Sequence, residues 1–327
     1  MDKEKYHLLL GIRRQRKYSG KRAVLLLLSS FLSLASGIYL SAIIFPVKSF
    51  TTLGLWFAAQ LILALGIFQS FLLIHEAGHQ TLFKNKSINK ITGLICSLFC
   101  FIPFYPWQFI HSKHHRWTGW KDVDPTTSKA LKRELPFYQE FILDKAWMFW
   151  IPVFCPIYVL DNFWNLPRLF KLTSSKSMHL KFVLSILIIL SFWIIVCNLT
   201  SFFFILHTYG LAFLFVLFIS DPLMLSQHSH IPQELSQGNP VKPFSFYEQD
   251  VFTRSLRFPD WVSKYILYGF DRHEAHHVLP SIPGYQLPYI ELKTENDIAA
   301  LRWLKLAKTI PGHKLVFLTR EETGIWL

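Results

Sequence analysis

Three stretches of the chain carry no Asp, Glu, Lys or Arg and are apolar at nearly every position: Ala23–Val47, Ser49–Ile74 and Phe182–Ser220. A helix needs about 20 residues to cross hydrocarbon. The first two stretches therefore predict one span each, about Ala23–Ile44 and Leu53–Ile74. The third has 39 residues, enough for two tight spans, about Phe182–Cys197 and Phe202–Leu223, turning at Asn198-Leu199-Thr200-Ser201. Asp221-Pro222 is expected to break the last helix, returning the chain to the depth of His75. Two shorter apolar runs, Ile91–Ile110 and Ala146–Leu160, are interrupted by prolines and read as interfacial segments rather than spans. The first apolar segment is too long for a signal peptide, lacks a small-residue cleavage site and is soon followed by a second span, so it reads as a retained anchor. Beyond Ser226 the chain is polar and mixed, with turn residues at Pro232, Gly238, Pro240 and Pro243.

The expected fold is all-α and integral to a membrane, with four transmembrane helices and a cytoplasmic helical cap. It is read as a single domain: a basic tail (1–22), a first hairpin (23–75), a cytoplasmic and interfacial segment (76–181), a second hairpin (182–226) and a cytoplasmic C-terminal segment (227–327). Composition agrees, since 51% hydrophobic and 17% aromatic residues are more than one soluble core of this length takes up. The net charge of +13 raises the question of nucleic acid, but its distribution answers it. Lysine and arginine crowd into residues 1–22, recur at Lys84, Lys86 and Lys90, and return at Arg168, Lys171, Lys176 and Lys181, whereas only Lys48 lies between the first two spans. This is the positive-inside pattern; it places both termini and the central segment in the cytoplasm and accounts for the charge without a nucleic-acid partner. Cys96, Cys100, Cys155 and Cys197 all have apolar surroundings and form no CxxC, as expected of buried, reduced thiols.

The chemistry lies in the histidines. Ten of fourteen fall in four short clusters: His75-Glu76-Ala77-Gly78-His79, His111-Ser112-Lys113-His114-His115, Gln227-His228-Ser229-His230 and His273-Glu274-Ala275-His276-His277. On a helix, residues three and four apart share a face, so these spacings present imidazoles together. Neutral imidazole suits iron, zinc, copper and nickel, and eight or nine ligands are too many for one ion, so two metals are implied. His228 and His230 are two residues apart, so a helix carrying both points them about 200° apart and only one readily faces a site. The isolated His7, His179, His207 and His313 read as interfacial or hydrogen-bonded residues. Two clusters also match H-E-x-x-H, in which histidines hold zinc and Glu76 or Glu274 is the general base. That zinc-hydrolase reading leaves His111, His114 and His115 without a purpose. If the two glutamates are not bases, they accept imidazole N–H groups and orient the rings. Asp124 is a further carboxylate for this role, or else a solvated loop residue.

The order and spacing of these motifs resemble the membrane fatty acyl desaturases, particularly the acyl-lipid type, over roughly His75 to Pro288. His75–Gln80 is similar to the first histidine box, and Gly93 through Pro103 and Trp107 to His111–Gly119 to the second. Gln227-His228-Ser229-His230 resembles the glutamine–histidine element after the last span, and His273–His277 with Pro280–Pro283 the third box. Carotenoid ketolases and hydroxylases and alkane hydroxylases resemble the pattern too, so hydroxylation or ketolation of a lipid or carotenoid stands as the alternative reaction. The resemblance implies two irons held by His75, His79, His111, His114, His115, His228, His273, His276 and His277; Glu76, Asp124, Gln227 and Glu274 are the candidates to surround these ligands. It selects His228 over His230. Dioxygen is the implied co-substrate and a lipid acyl chain the substrate. An unactivated methylene offers no handle for acid or base chemistry, so an apolar channel must choose the carbons; Phe104, Trp107, Trp117 and Trp120 are candidates to line it, or else interfacial belt aromatics. The chain contains no heme-binding, flavin or nicotinamide fingerprint, so electrons are expected from a separate ferredoxin or cytochrome b5 type donor, for which the basic cytoplasmic surface is a dock.

Overall fold

The computed structural model describes residues 9, 11, 12, 18–290, 292 and 296–327; His7 and most of the basic tail lie outside them. Among the described residues four helical stretches are long and apolar enough to cross a membrane. Helix α1 spans Gly20–Ile43, capped by the Ser19 hydroxyl, and α2 spans Phe50–Gly78, opened by a capping box of Ser49 and Thr52. The helices α3 (Lys86–Cys100) and α4 (Phe104–Trp117) follow, bent by 105° at the break between them. There Phe101 adopts a left-handed conformation (φ 56°), and Pro106, near the start of α4, sits where a missing N–H costs no helical bond. Helix α5 (Phe137–Met148) precedes a short turn of helix at Phe154–Val159. The third and fourth apolar stretches are α6 (Lys176–Leu199) and a run from Phe202 to His228, whose main part is α7 (Leu211–His228). Short helices α8 (His273–Val278), α9 (Ala300–Ala307) and α10 (Gly312–Phe317) follow, with a last turn of helix at Arg320–Thr323 and a parallel pair of two-residue strands, β1 (Leu256–Arg257) and β2 (Ile298–Ala299).

Two expectations about spans need correction. The third begins at Lys176, earlier than Phe182, because Ser175 caps it and its first turns tolerate exposed polar residues. The fourth does not break at Asp221-Pro222: α7 runs through Pro222 to His228. Asp221 is held there because its carboxylate accepts the backbone N–H groups of Phe154 (3.2 Å) and Cys155 (2.6 Å). Gln227 and His228 are consequently the last residues of the helix rather than the start of a loop.

The chain packs as two compact units. One comprises Tyr18–Gln108 and Val159–Ile219. In it α1 lies closely along α2: a Cβ at Gly37 would stand 2.5 Å from that of Leu63, and one at Gly66 would stand 2.6 Å from the Leu34 nitrogen. Such small residues let membrane helices approach. Gln60, fully buried on α2, donates to Ser41 Oγ (2.8 Å) and Thr208 O (3.1 Å) and accepts from Ala212 N (2.9 Å). It thereby satisfies backbone groups freed by the π-helical turn Leu206–Gly210. At 29 residues α2 is about 43 Å long, some 13 Å more than the hydrocarbon thickness, so its His75 end has the length to emerge.

The other unit holds the described residues up to Ile12, with Phe109–Tyr158 and Ser220–Leu327. Its core joins Leu9 to Ala275, Val278, Leu279, Ile282 and Leu287. Helix α5 is fastened on one side, where Trp147 Nε1 donates to Ala307 O (3.0 Å) and Asp144 accepts from His313 Nδ1 (2.7 Å). Its other side exposes Phe137, Tyr138, Phe141, Ile142 and Met148. Lys145 lies over the rings of Phe141 and Phe149, its stem covering apolar surface.

Candidate metal centre

The first histidine pair belongs to the end of α2. His75 and His79 have ring centroids 4.9 Å apart, and the indole of Trp107 stands 5.6 Å from His75. Gly78 makes room for that indole, since a Cβ there would come 2.3 Å from Trp107 Cζ3. Glu76 Oε2 accepts from Thr81 Oγ1 (2.8 Å), and its Oε1 lies 3.3 Å from His75 Nδ1.

The remaining histidines of the boxes lie on α4 and α8. Each HxxHH motif divides between two clusters instead of presenting all three rings to one. His111 and His115, one turn apart on α4, meet His276 of α8: His115 Nε2 is 3.1 Å from His111 Nε2 and 2.9 Å from His276 Nε2. In the reciprocal arrangement His273 and His277, one turn apart on α8, join His114 of α4 and His228 from the end of α7. His228 Nε2 stands 3.0 Å from His114 Nε2 and 2.8 Å from His273 Nε2, and His277 Nε2 is 3.1 Å from His273 Nε2. His230 is elsewhere: the chain leaves the helix after His228, adopts φ 65° at His230, and directs its Nε2 to Thr323 Oγ1 at 2.7 Å.

The outer nitrogens of this second cluster explain why the inner ones converge. His114 Nδ1 faces Asp124 Oδ2 at 2.6 Å, His277 Nδ1 faces Gln249 Oε1 at 3.0 Å, and His228 Nδ1 faces the Phe252 carbonyl at 3.3 Å. Each partner is an acceptor, so each Nδ1 carries the hydrogen and each Nε2 turns a lone pair inward. Burial first, and then the neighbouring rings beginning with His115, hold His277 well below its ordinary pKa and thus neutral. Lone pairs crowded within 4.8 Å of one another repel unless a cation lies among them, and neutral imidazole is the donor such a cation requires. The residues therefore fit a transition-metal ion.

Asp124 is fully buried, not a solvated loop carboxylate. Gly119 (φ 102°) ends α4 where a side chain would strike Phe244 and Phe252, and the following turns bring Asp124 back over His114. Its other oxygen accepts from Thr126 N (2.8 Å) and Thr126 Oγ1 (2.9 Å), fixing the carboxylate. Glu274 is buried on α8, its backbone N–H bound to Ser255 Oγ (3.0 Å). Gln227 contributes a backbone carbonyl, which accepts from Arg254 N (2.9 Å). Of the channel candidates, Phe104 packs on Gly93 and Trp107 on Gly78, while Trp120 stacks on Phe244 and donates to Lys242 O, and Trp117 lies beneath Arg116. Gln249, Thr126 and the Phe252 carbonyl were not foreseen; no motif marks them, and only tertiary contact reveals them. Of the isolated histidines, the three among the described residues are hydrogen-bonded as expected: His179 to Thr173 O, His207 to Ser41 O and His313 to Asp144.

A family model described as fatty acid desaturase matches residues 50–304. The chain is similar to the probable fatty acid desaturase DES1 of Sorghum bicolor, 24% identical over 229 residues, which cover 66% of this chain and 57% of that protein. A fatty acid desaturase of Bacillus subtilis is 25% identical over 291 residues, covering 76% of this chain and 78% of its own length. An sn-1 oleoyl-lipid 12-desaturase of Picosynechococcus is 32% identical over a shorter stretch of 54 residues, 16% of each chain. The match thus spans little more than half of the Sorghum protein.

Proposed function

Because the chain belongs to the fatty acid desaturase family, we propose that it introduces a carbon–carbon double bond into the acyl chain of a membrane lipid. In this reading the nine histidines His75, His79, His111, His114, His115, His228, His273, His276 and His277 hold two irons. The observation that carries it is the convergence of the Nε2 atoms of His114, His228, His273 and His277, with acceptors standing behind His114, His228 and His277. When bound, the irons supply the activation of dioxygen, whose four-electron reduction to two waters takes two electrons from two C–H bonds and two from a separate donor.

The chain's own part is to bind and orient. Asp124 and Gln249 keep His114 and His277 in the ligating tautomer, and α4 and α8 each serve both clusters, so neither ion's ligands can shift without the other's. Neutral imidazoles hold iron in more than one oxidation state without a proton to exchange. Phe104, Trp107, Trp117 and Trp120 are assigned to the walls that align the methylenes, and Glu76, Gln227 and Glu274 to the surroundings of the ligands. The positive-inside charge pattern supports a cytoplasmic site and cytoplasmic termini, with an acidic ferredoxin or cytochrome b5 type donor docking there.

The test is expression in a host whose lipids contain saturated and monounsaturated chains, with double-bond positions mapped by mass spectrometry and iron measured on the purified protein. A new double bond, lost in the His114→Ala variant, is expected. Hydroxylated or ketonic products without a new double bond would transfer the reading to the oxygenases, and zinc in place of iron with peptide-bond cleavage would transfer it to the hydrolases.

A further inference from the structure

Gln249 has no accessible surface and lies in the turn of helix Phe246–Phe252, between α4 and α8 in its contacts. Its Nε2 is 2.8 Å from the backbone carbonyl of His115, and its Oε1 is 3.0 Å from His277 Nδ1. The two ends of a carboxamide are chemically opposite, and the His115 carbonyl can only accept. Turning the amide over would set oxygen against oxygen at that carbonyl, so the NH2 end belongs there and the oxygen belongs at His277. His277 must then donate from Nδ1, which leaves its Nε2 without a hydrogen, facing His273 Nε2 at 3.1 Å.

From this geometry we propose that Gln249 is a positioning residue for the metal centre: it fixes the ligating tautomer of His277 and ties that ring to the α4 backbone at His115. The inference deepens the two-iron reading and rests on it. The acceptor on His277 is neutral, whereas the acceptor on His114 in the same cluster is the Asp124 carboxylate. A carboxylate behind an imidazole raises its basicity more than an amide does. Gln249 therefore leaves His277 the weaker donor of the two, so the cluster's ligands differ in donor strength although all are histidines.

Gln249→Met keeps the approximate shape and removes both hydrogen bonds. Gln249→Glu keeps an acceptor for His277 Nδ1 and gives up the donor to His115, setting a carboxylate oxygen against that carbonyl, a repulsion present with and without iron. Each purified protein is titrated with an iron chelator, and the midpoint potential of the iron that remains is measured. The expected result is a loss of iron affinity of about 10- to 100-fold in Gln249→Met, against retained iron and a lowered midpoint potential in Gln249→Glu. Equal losses in both variants would reduce Gln249 to a brace between α4 and its own turn, and unchanged iron and potential in both would remove it from the centre. Should neither variant fold, the unmodified protein, loaded with diamagnetic zinc and labelled with 15N-histidine, decides by NMR whether His277 carries hydrogen on Nδ1; hydrogen on Nε2 overturns the proposal. An unmodified protein that purifies without iron and takes up none fails the two-iron reading itself, a result separate from any difference among the variants.

Discussion

Replacing Asp124 by Asn changes one atom, and the hydrogen bonds around it predict a larger effect than deletion of the side chain. Oδ1 accepts from Thr126 N and Thr126 Oγ1, while Oδ2 stands 2.6 Å from His114 Nδ1. Thr126 N can only donate, so the oxygen of an asparagine is claimed on that side and its NH2 faces His114. Two donors then meet, and His114 escapes by moving its hydrogen to Nε2, which points into the cluster beside His228 Nε2 at 3.0 Å. Binding iron requires the ring to revert and leaves a buried donor unsatisfied, a cost of about 1–3 kcal/mol, equivalent to about 5- to 150-fold in affinity. Asp124→Ala creates no such clash, and Thr126 Oγ1, 3.0 Å from His114 Nδ1, remains as an acceptor. The expected order of iron affinity is therefore unmodified protein, then Asp124→Ala, then Asp124→Asn. The assay is iron retained against graded chelator, alongside thermal melts of the metal-free proteins to confirm that the loop still folds. Asn binding iron as tightly as Asp, or more tightly than Ala, would falsify the tautomer argument.

Other outcomes follow from the same contacts. His228→Ala should purify with reduced iron and little turnover, whereas His230→Ala, which loses a bond to Thr323 Oγ1, should keep its iron; the reverse would make His230, not His228, the ligand. Glu76→Gln should keep its metal and substantial activity, because an amide oxygen still accepts from Thr81 or His75; intact metal with activity abolished, together with proteolysis by the unmodified protein, would revive the general-base role. Single cysteines replacing Lys48 and Lys113, in a background without the four native thiols, should label from opposite faces of the membrane; labelling from one face rules out the four-span topology. Gln60→Leu should lower the melting temperature, since the Ala212 N–H and the Thr208 carbonyl lose their partner inside an apolar unit; an unchanged melt would mean that these backbone groups are satisfied otherwise.

Much of the fold was legible because membrane spans are written in composition. Length and the absence of charge located four apolar helices, and the turn at Asn198–Ser201 falls where the third helix ends at Leu199 and the next begins at Phe202. The failures came where a local rule was overruled by a distant partner. Asp221-Pro222 reads as a helix break in isolation, but its carboxylate is engaged by Phe154 N and Cys155 N, more than sixty residues away. The π-helical turn at Leu206–Gly210 has no signature in an unbroken apolar run. What sustains it is the amide of Gln60, on another helix.

The site divides along similar lines. Histidine spacing announces which rings can meet, because i, i+4 pairs such as His111 with His115 and His273 with His277 need only a helix. It does not announce that the third member of each motif crosses to the other cluster, a consequence of α4 and α8 facing each other with opposite pairings. Nor does it give the tautomers. Those depend on Asp124, Gln249 and the Phe252 carbonyl, one charged acceptor and two neutral ones, drawn from the loop after α4 and from the helical turn Phe246–Phe252. A sequence can therefore specify nine chemically equivalent imidazoles, eight in its boxes and His228 outside them, while the fold makes them inequivalent. His114, backed by a carboxylate, is the stronger donor to an ion, His277, backed by an amide, is weaker, and His228, whose contact with a carbonyl is the longest of the three, is held least firmly. If that ranking governs the centre, His228, contributed by the end of α7, is the one of these three ligands replaced with least loss of iron, ahead of His277 on α8 and His114 on α4.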